Sequence, residues 1–581
     1  MKKLLIYLKG YEKESVLAPL FKLLEAFFEL LVPLVMANII DRGIADWDMG
    51  YIGKMGLCLL ALGIVGLVSS ITAQFFAAKA AVGFSAKLRQ ALFDHIQSLS
   101  FGNIDKAGTS TMITRMTSDI NQVQSGVNMV LRLFLRSPII VFGAMIMAFT
   151  IDVKSALVFV VAIPLLTIVV FGVMLWTIPL YRKVQERLDK VLGITRENLT
   201  GVRVIRAFHQ EEQEQGRFCE SNRALAAAQT FVGKISAVMN PVTYIIVNGA
   251  IISLIYIGAI QVNMGSLTQG EVVAIINYMS QILVELVKLA NLIILLTKAL
   301  ASADRVAAVF EITEDNAGNT EKLPETTGKS LEADAPYLVF DHVSLTYQGA
   351  GAETLHDMDF TVNKGDTVGI IGGTGSGKTS LVNLIPGFYP VTSGGIYLEG
   401  KNIKELDEEE LRRRIGVVPQ KAVLFKGTVR SNLSWGKEDA TEEEMWRALD
   451  IAQAREIVEG KDGRLDAKIA QNGKNLSGGQ RQRLTIARAL VRNPEILILD
   501  DSASALDYAT DAKLRQALRT IENKTTTFIV SQRASTILHA DKIIVLDDGE
   551  IAGMGTHEEL LAGCEVYQEI YYSQYPKEGG C

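Results

Sequence analysis

The sequence predicts a multidomain chain in which a six-helix transmembrane domain precedes an α/β P-loop nucleotide-binding domain. Three observations predict it. Six apolar stretches long enough to cross a bilayer lie before residue 300, and none follows residue 340. The loop Gly372-Gly373-Thr374-Gly375-Ser376-Gly377-Lys378-Thr379 fits the phosphate-binding pattern G-x-x-x-x-G-K-[ST]. The apolar run Ile496-Leu497-Ile498-Leu499 ends at Asp500, the pattern of a strand buried on both faces that delivers a carboxylate to the C-terminal edge of a parallel sheet. The boundaries that follow are a transmembrane domain over 1–312, a linker over 313–336, a nucleotide-binding domain over 337–575 and a tail over 576–581.

The chain opens on Met1-Lys2-Lys3 and a short apolar run. No small-residue cleavage pattern follows, and the next helix carries Lys22, Glu25 and Glu29, so this start reads as an interfacial entry helix. The spans fall at roughly 15–40, 52–82, 133–151, 156–180, 241–261 and 270–297. Between the second and third, and between the fourth and fifth, run long helical segments with Lys87, Arg89, Arg115, Arg182, Lys183, Arg187, Arg203 and Arg206. The other connections are short and hold few basic residues, so the positive-inside rule puts both long segments, both termini and the nucleotide-binding domain in the cytosol of a multi-pass plasma-membrane protein. Residues 313–336 shift to Asn, Gly, Thr, Glu and Pro, the composition of a solvated linker.

Composition excludes several classes. A chain of 581 residues with 49% hydrophobic content is too long for one domain and too apolar to be wholly soluble, and a net charge of −6 argues against a nucleic-acid partner. Cys58, Cys219, Cys564 and Cys581 lack metal-ligand spacing and an extracellular disulfide framework.

In the phosphate loop, glycines let backbone N–H groups close around phosphate oxygens, Lys378 reaches the terminal phosphates, and Thr379, followed by Ser380, presents a hydroxyl to Mg²⁺. ATP and Mg²⁺ are the cofactors so implied, with Asp500 a further Mg²⁺ ligand. Leu476-Ser477-Gly478-Gly479-Gln480 has the form of a helix start with Ser477 as N-cap, and a helix N-terminus is where phosphate binds.

The phosphate loop, this second motif about a hundred residues later, and six preceding spans together resemble a half-transporter of the ATP-binding cassette (ABC) exporter superfamily, with its type IV exporter fold. The likeness covers nearly the whole chain and assigns further roles. Tyr347 is similar to the aromatic that stacks on adenine, although a strand tyrosine packing in a sheet would read alike. Gln420 matches the loop glutamine that touches Mg²⁺ and faces the membrane domain. Ser477, Gly478, Gly479 and Gln480 match the signature that acts on ATP held by the partner, and Asp507 lies in the loop that crosses the ATPase dimer. The segments 101–107 and 201–208 resemble the two coupling helices that rest on the ATPase domains.

Two departures bear on mechanism. After Asp500 the family carries a catalytic glutamate, and here Asp501 stands one methylene short. The switch histidine that meets the γ-phosphate is replaced by Gln532, whose amide donates a hydrogen bond but carries no proton or charge. With Asp500 these are the catalytic candidates, and both substitutions fall on one half-site, which implies a degenerate site completed by a second ABC half-transporter, hence a heterodimer. Gln471, where the family has glutamate before the signature, is a third departure.

Asn277, Gln281, Glu285 and Lys288 share one face of the sixth span. They line a polar substrate cavity, joined by Glu29, or they form a Glu285···Lys288 pair and interhelical hydrogen bonds. The resulting expectation is a subunit of an ATP-driven exporter of multidrug or other lipophilic substrates, working by alternating access. The alternatives are a nucleotide-gated channel or sensor, an exporter-fold importer, and a homodimeric lipid or peptide exporter.

Overall fold

The computed structural model describes residues 2–312, 336–519 and 525–575. The expected linker, apart from Pro336, and the expected tail lie outside the described residues. The chain divides into two compact units, one of Met1–Ser98 with Gly108–Thr313, the other of Leu99–Ala107 with Glu314–Cys581.

In the first unit, the described residues include six helices long and apolar enough to cross a membrane: Glu12–Ile44, Met49–Ser98, Thr109–Ile151, Val153–Thr200, Glu211–Asn263 and Gln269–Phe310. Each contains one of the stretches read from the sequence. A crossing needs about 20 residues, so helices of 33 to 53 residues carry turns beyond the hydrocarbon layer. Side chains set the starts of the fourth and the sixth. Asp152 caps the fourth helix by accepting from the Ser155 N–H at 2.6 Å and also accepts from Gln261 at 2.9 Å. Thr268 and Glu271 form a capping box at the start of the sixth, and Asp41 accepts from the Thr268 hydroxyl at 2.6 Å and the Gly270 N–H at 2.7 Å. A side chain at Gly270 would run into the Ala37 carbonyl, so only glycine admits this approach of the first span. Between the helices, Ala144, Ala148, Ala156 and Ala274 let backbones come close, while Phe159, Tyr278, Met279 and Ile282 fill the remaining space.

The second unit holds twelve described strands: β1 (Leu338–Leu345), β2 (Leu355–Val362), β3 (Thr367–Gly372), β4 (Ser393–Leu398), β5 (Lys401–Asn402), β6 (Ile415–Val418), β7 (Gly427–Thr428), β8 (Lys468–Ile469), β9 (Ile496–Asp500), β10 (Thr526–Val530), β11 (Lys542–Asp547) and β12 (Glu550–Gly555). The central sheet has the order β12-β11-β3-β10-β9-β6, parallel except for β12. An antiparallel sheet of order β2-β1-β4-β5 accompanies it, with a β7-β8 ribbon. Alternation along the strands divides the core. Leu497, Leu499, Ile529 and Val545 enter one apolar cluster with Leu484 and Ala487 of the helix Gly478–Val491. Ile496, Ile498, Phe528 and Ile544 enter the other, with Phe340, Phe360 and Ile396 of the antiparallel sheet. Covering both faces explains why β9 is buried at every position.

The segment Leu99–Ala107, although it precedes the third span in sequence, belongs to this second unit. Its helix Phe101–Ala107 sets the Phe101 ring 4.5 Å from that of Phe388, and Asp105 accepts from the Tyr389 hydroxyl at 2.7 Å.

Candidate nucleotide site

Parallel register brings the candidate residues to one sheet edge. Asp500 pairs with Val530, Val530 with Ile370, and Leu499 with Val418. The residues just beyond these positions are the phosphate loop, the Ser531–Gln532 turn, Asp501 and Gln420, so four strand ends converge where parallel α/β sheets bind ligands.

The loop after β3 turns through Gly375 at φ 88° and Gly377 at φ 89°, both in the left-handed region that glycine tolerates. Gly373, Thr374 and Gly375 are exposed, and Ser376 is buried beneath them. Lys378 opens the helix Lys378–Leu384, and its ammonium donates to the carbonyls of Gly372 at 3.0 Å and Gly373 at 2.5 Å. Burial lowers its pKa, opposed by the charges of Asp501 and Asp500.

Thr379 donates its hydroxyl to both Asp500 oxygens, at 3.0 and 3.1 Å. Burial raises the Asp500 pKa, the Thr379 bond opposes that, and the neighbouring Asp501 charge adds to the rise. Asp501 itself sits at φ 46°, anchored by its N–H to the Val530 carbonyl at 3.0 Å. Gln420 donates to its carboxylate at 3.3 Å. On the opposite flank, the Tyr347 hydroxyl donates to Ser380 at 2.9 Å, and its ring meets Tyr389 edge-on at 5.0 Å. Gln532 is exposed, and its backbone carbonyl accepts from Gln574 at 2.8 Å.

The structure thus brings together Tyr347, the phosphate loop, Thr379, Ser380, Gln420, Asp500 and Asp501. The signature residues form a separate feature. Ser477 accepts from the Gln480 N–H at 3.3 Å and Gln480 accepts from the Ser477 N–H at 3.1 Å, a capping box that leaves Ser477 and Gly478 exposed at a helix N-terminus. Asp507 accepts from Thr510 through both N–H and hydroxyl, at 2.8 and 2.9 Å, which lowers its pKa and starts the helix Tyr508–Arg519.

In the membrane unit, Glu285 is buried and accepts from Arg136 at 2.8 Å, Ser137 at 2.7 Å and Lys288 at 2.8 Å. Arg136 also donates to Glu29 at 2.7 Å, while Lys22 pairs with Glu25 at 2.5 Å. Asn277 is exposed, and the Gln281 carbonyl is buried without a partner among the described residues. The internal Glu285···Lys288 pair is therefore present and extends to the first and third spans. Sequence reasoning missed Arg136, although a charge inside an apolar span was the available signal. It also missed Tyr389 and Gln574, which carry no motif.

Comparison with known proteins agrees with this layout. A family model described as the ABC transporter transmembrane region matches residues 15–286, and one described as ABC transporter matches residues 355–504. The Bacillus subtilis protein named uncharacterized ABC transporter ATP-binding protein YfiB is 37% identical over 100% of this chain and 99% of its own length. An ATP-dependent lipid A-core flippase of Chromobacterium violaceum is 30% identical over 99% and 97%. A bacterial Atm1-family ABC exporter with ATP bound has the same fold, at TM-score 0.79 and 23% identity over 97% of this chain and 99% of that one.

Proposed function

This chain belongs to the ABC transporter family, as a multi-pass half-transporter of exporter fold with a cytoplasmic ATPase domain, and on that premise we propose that it is the degenerate-site subunit of a heterodimeric exporter of lipophilic compounds. ATP binds through stacking on Tyr347, phosphate contacts from the 372–379 loop and the Lys378 charge. The oxygen set of Thr379, Asp500 and Gln420 fits Mg²⁺, which takes few protein ligands beside phosphates and water; the Thr379 hydroxyl and the buried Asp500 carboxylate already lie together. Bound there, Mg²⁺ would neutralise phosphate charge.

The observation that carries the reading is the pair Asp501 and Gln532, on adjacent strand ends of one edge. Hydrolysis needs a carboxylate within hydrogen-bond reach of the attacking water, and a side chain shorter by about 1.5 Å loses that reach. Gln532 offers the γ-phosphate an amide where a charged imidazole would otherwise assist. The chain retains its own signature, Ser477 to Gln480, and lends it to a partner site that has Glu and His. Closure over ATP and reopening after hydrolysis at that partner site drive alternating access. A lipophilic substrate accords with the lipid A-core flippase among the relatives, and the Glu29–Arg136–Glu285 group supplies polar contacts within the spans.

The test compares steady-state ATP hydrolysis by the purified chain alone with that of the chain co-expressed with a half-transporter bearing Glu and His. Slow turnover alone and restored turnover in the pair are expected. Consensus-like, drug-stimulated turnover by this chain alone would overturn the heterodimer and favour a homodimer.

A further inference from the structure

We propose that Gln574, the last residue of the C-terminal helix Glu565–Gln574, is a positioning residue for Gln532, an inference that rests on the γ-phosphate role proposed above for Gln532. The turn Ser531–Arg533 joins β10 to the short helix Ala534–Ile537, and that helix has no side-chain cap of its own from Arg533. Gln574 replaces it from 40 residues away: its Oε1 accepts from the Ala534 N–H at 2.9 Å, while its Nε2 donates to the Gln532 carbonyl at 2.8 Å. An amide carries a donor and an acceptor together, so one side chain grips the backbone on either side of Arg533 through main-chain groups alone.

The clamp has a firm base. Tyr567 is fully buried on the same helix and its hydroxyl lies 2.8 Å from His557 Nδ1, while Tyr571 stacks on Tyr575 at 5.0 Å. Ser531 closes the other side of the turn, accepting from the Arg533 N–H at 2.9 Å, and its own N–H donates to the Ile370 carbonyl of β3 at 3.0 Å. With the Gln532 carbonyl and the Ala534 N–H both held, the direction in which the exposed Gln532 side chain leaves the backbone is fixed by the clamp. Gln574 therefore acts on the triphosphate through Gln532.

The experiment uses the purified full chain and two readouts. A nitroxide on Gln532→Cys, in a background with the native cysteines replaced, reports mobility of the turn with and without Gln574→Met, an isostere that keeps length and loses both hydrogen bonds. Binding of ATPγS and ADP then gives the selectivity for a γ-phosphate in wild type, Gln574→Met, Gln532→Ala and the double variant. We expect a more mobile label, a loss of ATPγS-over-ADP selectivity of about threefold to tenfold in each single variant, unchanged ADP affinity, and no further loss in the double. An unchanged label overturns the proposal. So does a selectivity that falls with Gln532→Ala and not with Gln574→Met. A mobile label with unaltered selectivity in Gln532→Ala leaves the positioning intact and overturns the γ-phosphate role instead. Should Gln574→Met fail to fold, Gln574→Glu keeps the acceptor and sets a carboxylate against the Gln532 carbonyl, with the same outcomes expected.

Discussion

Gln420 donates its side-chain amide to the Asp501 carboxylate across 3.3 Å, joining the loop after β6 to the end of β9. Asp501 is also held from behind, by its left-handed backbone at φ 46° and its bond to Val530. With the backbone held, only the two side-chain torsions of Asp501 are left to make up for a missing methylene, and the bond from Gln420 opposes their rotation.

The double substitution Asp501→Glu with Gln532→His should therefore raise ATP hydrolysis by this chain alone. Proton transfer to a well-placed base is worth about 10²–10⁴-fold, and an increase of at least about tenfold is expected in steady-state phosphate release. No increase would mean that reach and charge at these positions do not limit turnover.

Lys378→Ala removes an ammonium already seated against the loop carbonyls. Hydrogen bonds to charged groups are worth about 1.5–3 kcal/mol, so ATP affinity should fall by roughly 10–100-fold in equilibrium titration with a fluorescent analogue. Unaltered affinity, with the partner's site disabled, would show that the lysine does not hold phosphate.

The signature and the local base can be separated by crossing them. In the proposed dimer Gly479→Asp would place a carboxylate against the partner's triphosphate, but a β-carbon there also comes within 3.0 Å of the Ala505 carbonyl of this same chain. Gly478 has open space around it, so Gly478→Asp tests charge without that crowding. Both should remove most ATPase activity of the assembled pair, while Asp501→Asn retains a substantial fraction. Equal damage from Asp501→Asn would identify Asp501 as a working base.

His557 makes the C-terminal helix sensitive to pH. Burial lowers its pKa, with Glu558 opposing and His539 reinforcing the shift. The unfolded chain then binds this proton more readily than the folded one. Stability is therefore fully present above the ordinary histidine pKa of about 6.5 and is lost as pH falls from there through the lowered folded value. His557→Gln should flatten the fall in thermal unfolding temperature between about pH 7 and 5.5. A wild-type profile in the variant would refute the assignment.

Much of this architecture is legible in the sequence because it is local. A run of four apolar residues before Asp500 defines β9, and Ser477 as N-cap marks the start of the helix Gly478–Val491. Six apolar windows define six spans, and the polar segments between the second and third and between the fourth and fifth read as helical, though their continuity with the spans does not show in the hydropathy. What the sequence hides is contact between distant positions. The resemblance sets 101–107 on an ATPase domain, but nothing picks out Asp105 and Tyr389 as a pair 284 residues apart, and Gln574 looks like any surface glutamine of a final helix turn. The polar face of the sixth span can be read from spacing alone. What Glu285 binds there depends on Arg136, on another helix.

The ion group of Glu29, Arg136 and Glu285 also constrains how the chain is made. An arginine inside a span is costly to insert, up to about 2.5–3.5 kcal/mol at the centre of the bilayer. When Arg136 enters the bilayer, Glu29 has been synthesised 107 residues earlier and can meet it, whereas Glu285 lies 149 residues ahead. At roughly 5–20 residues per second that is an interval of about 7–30 seconds. Of the carboxylates paired with Arg136 among the described residues, those of the first span are already made when the third span enters lipid, and Glu285 joins them only as translation of the membrane domain ends.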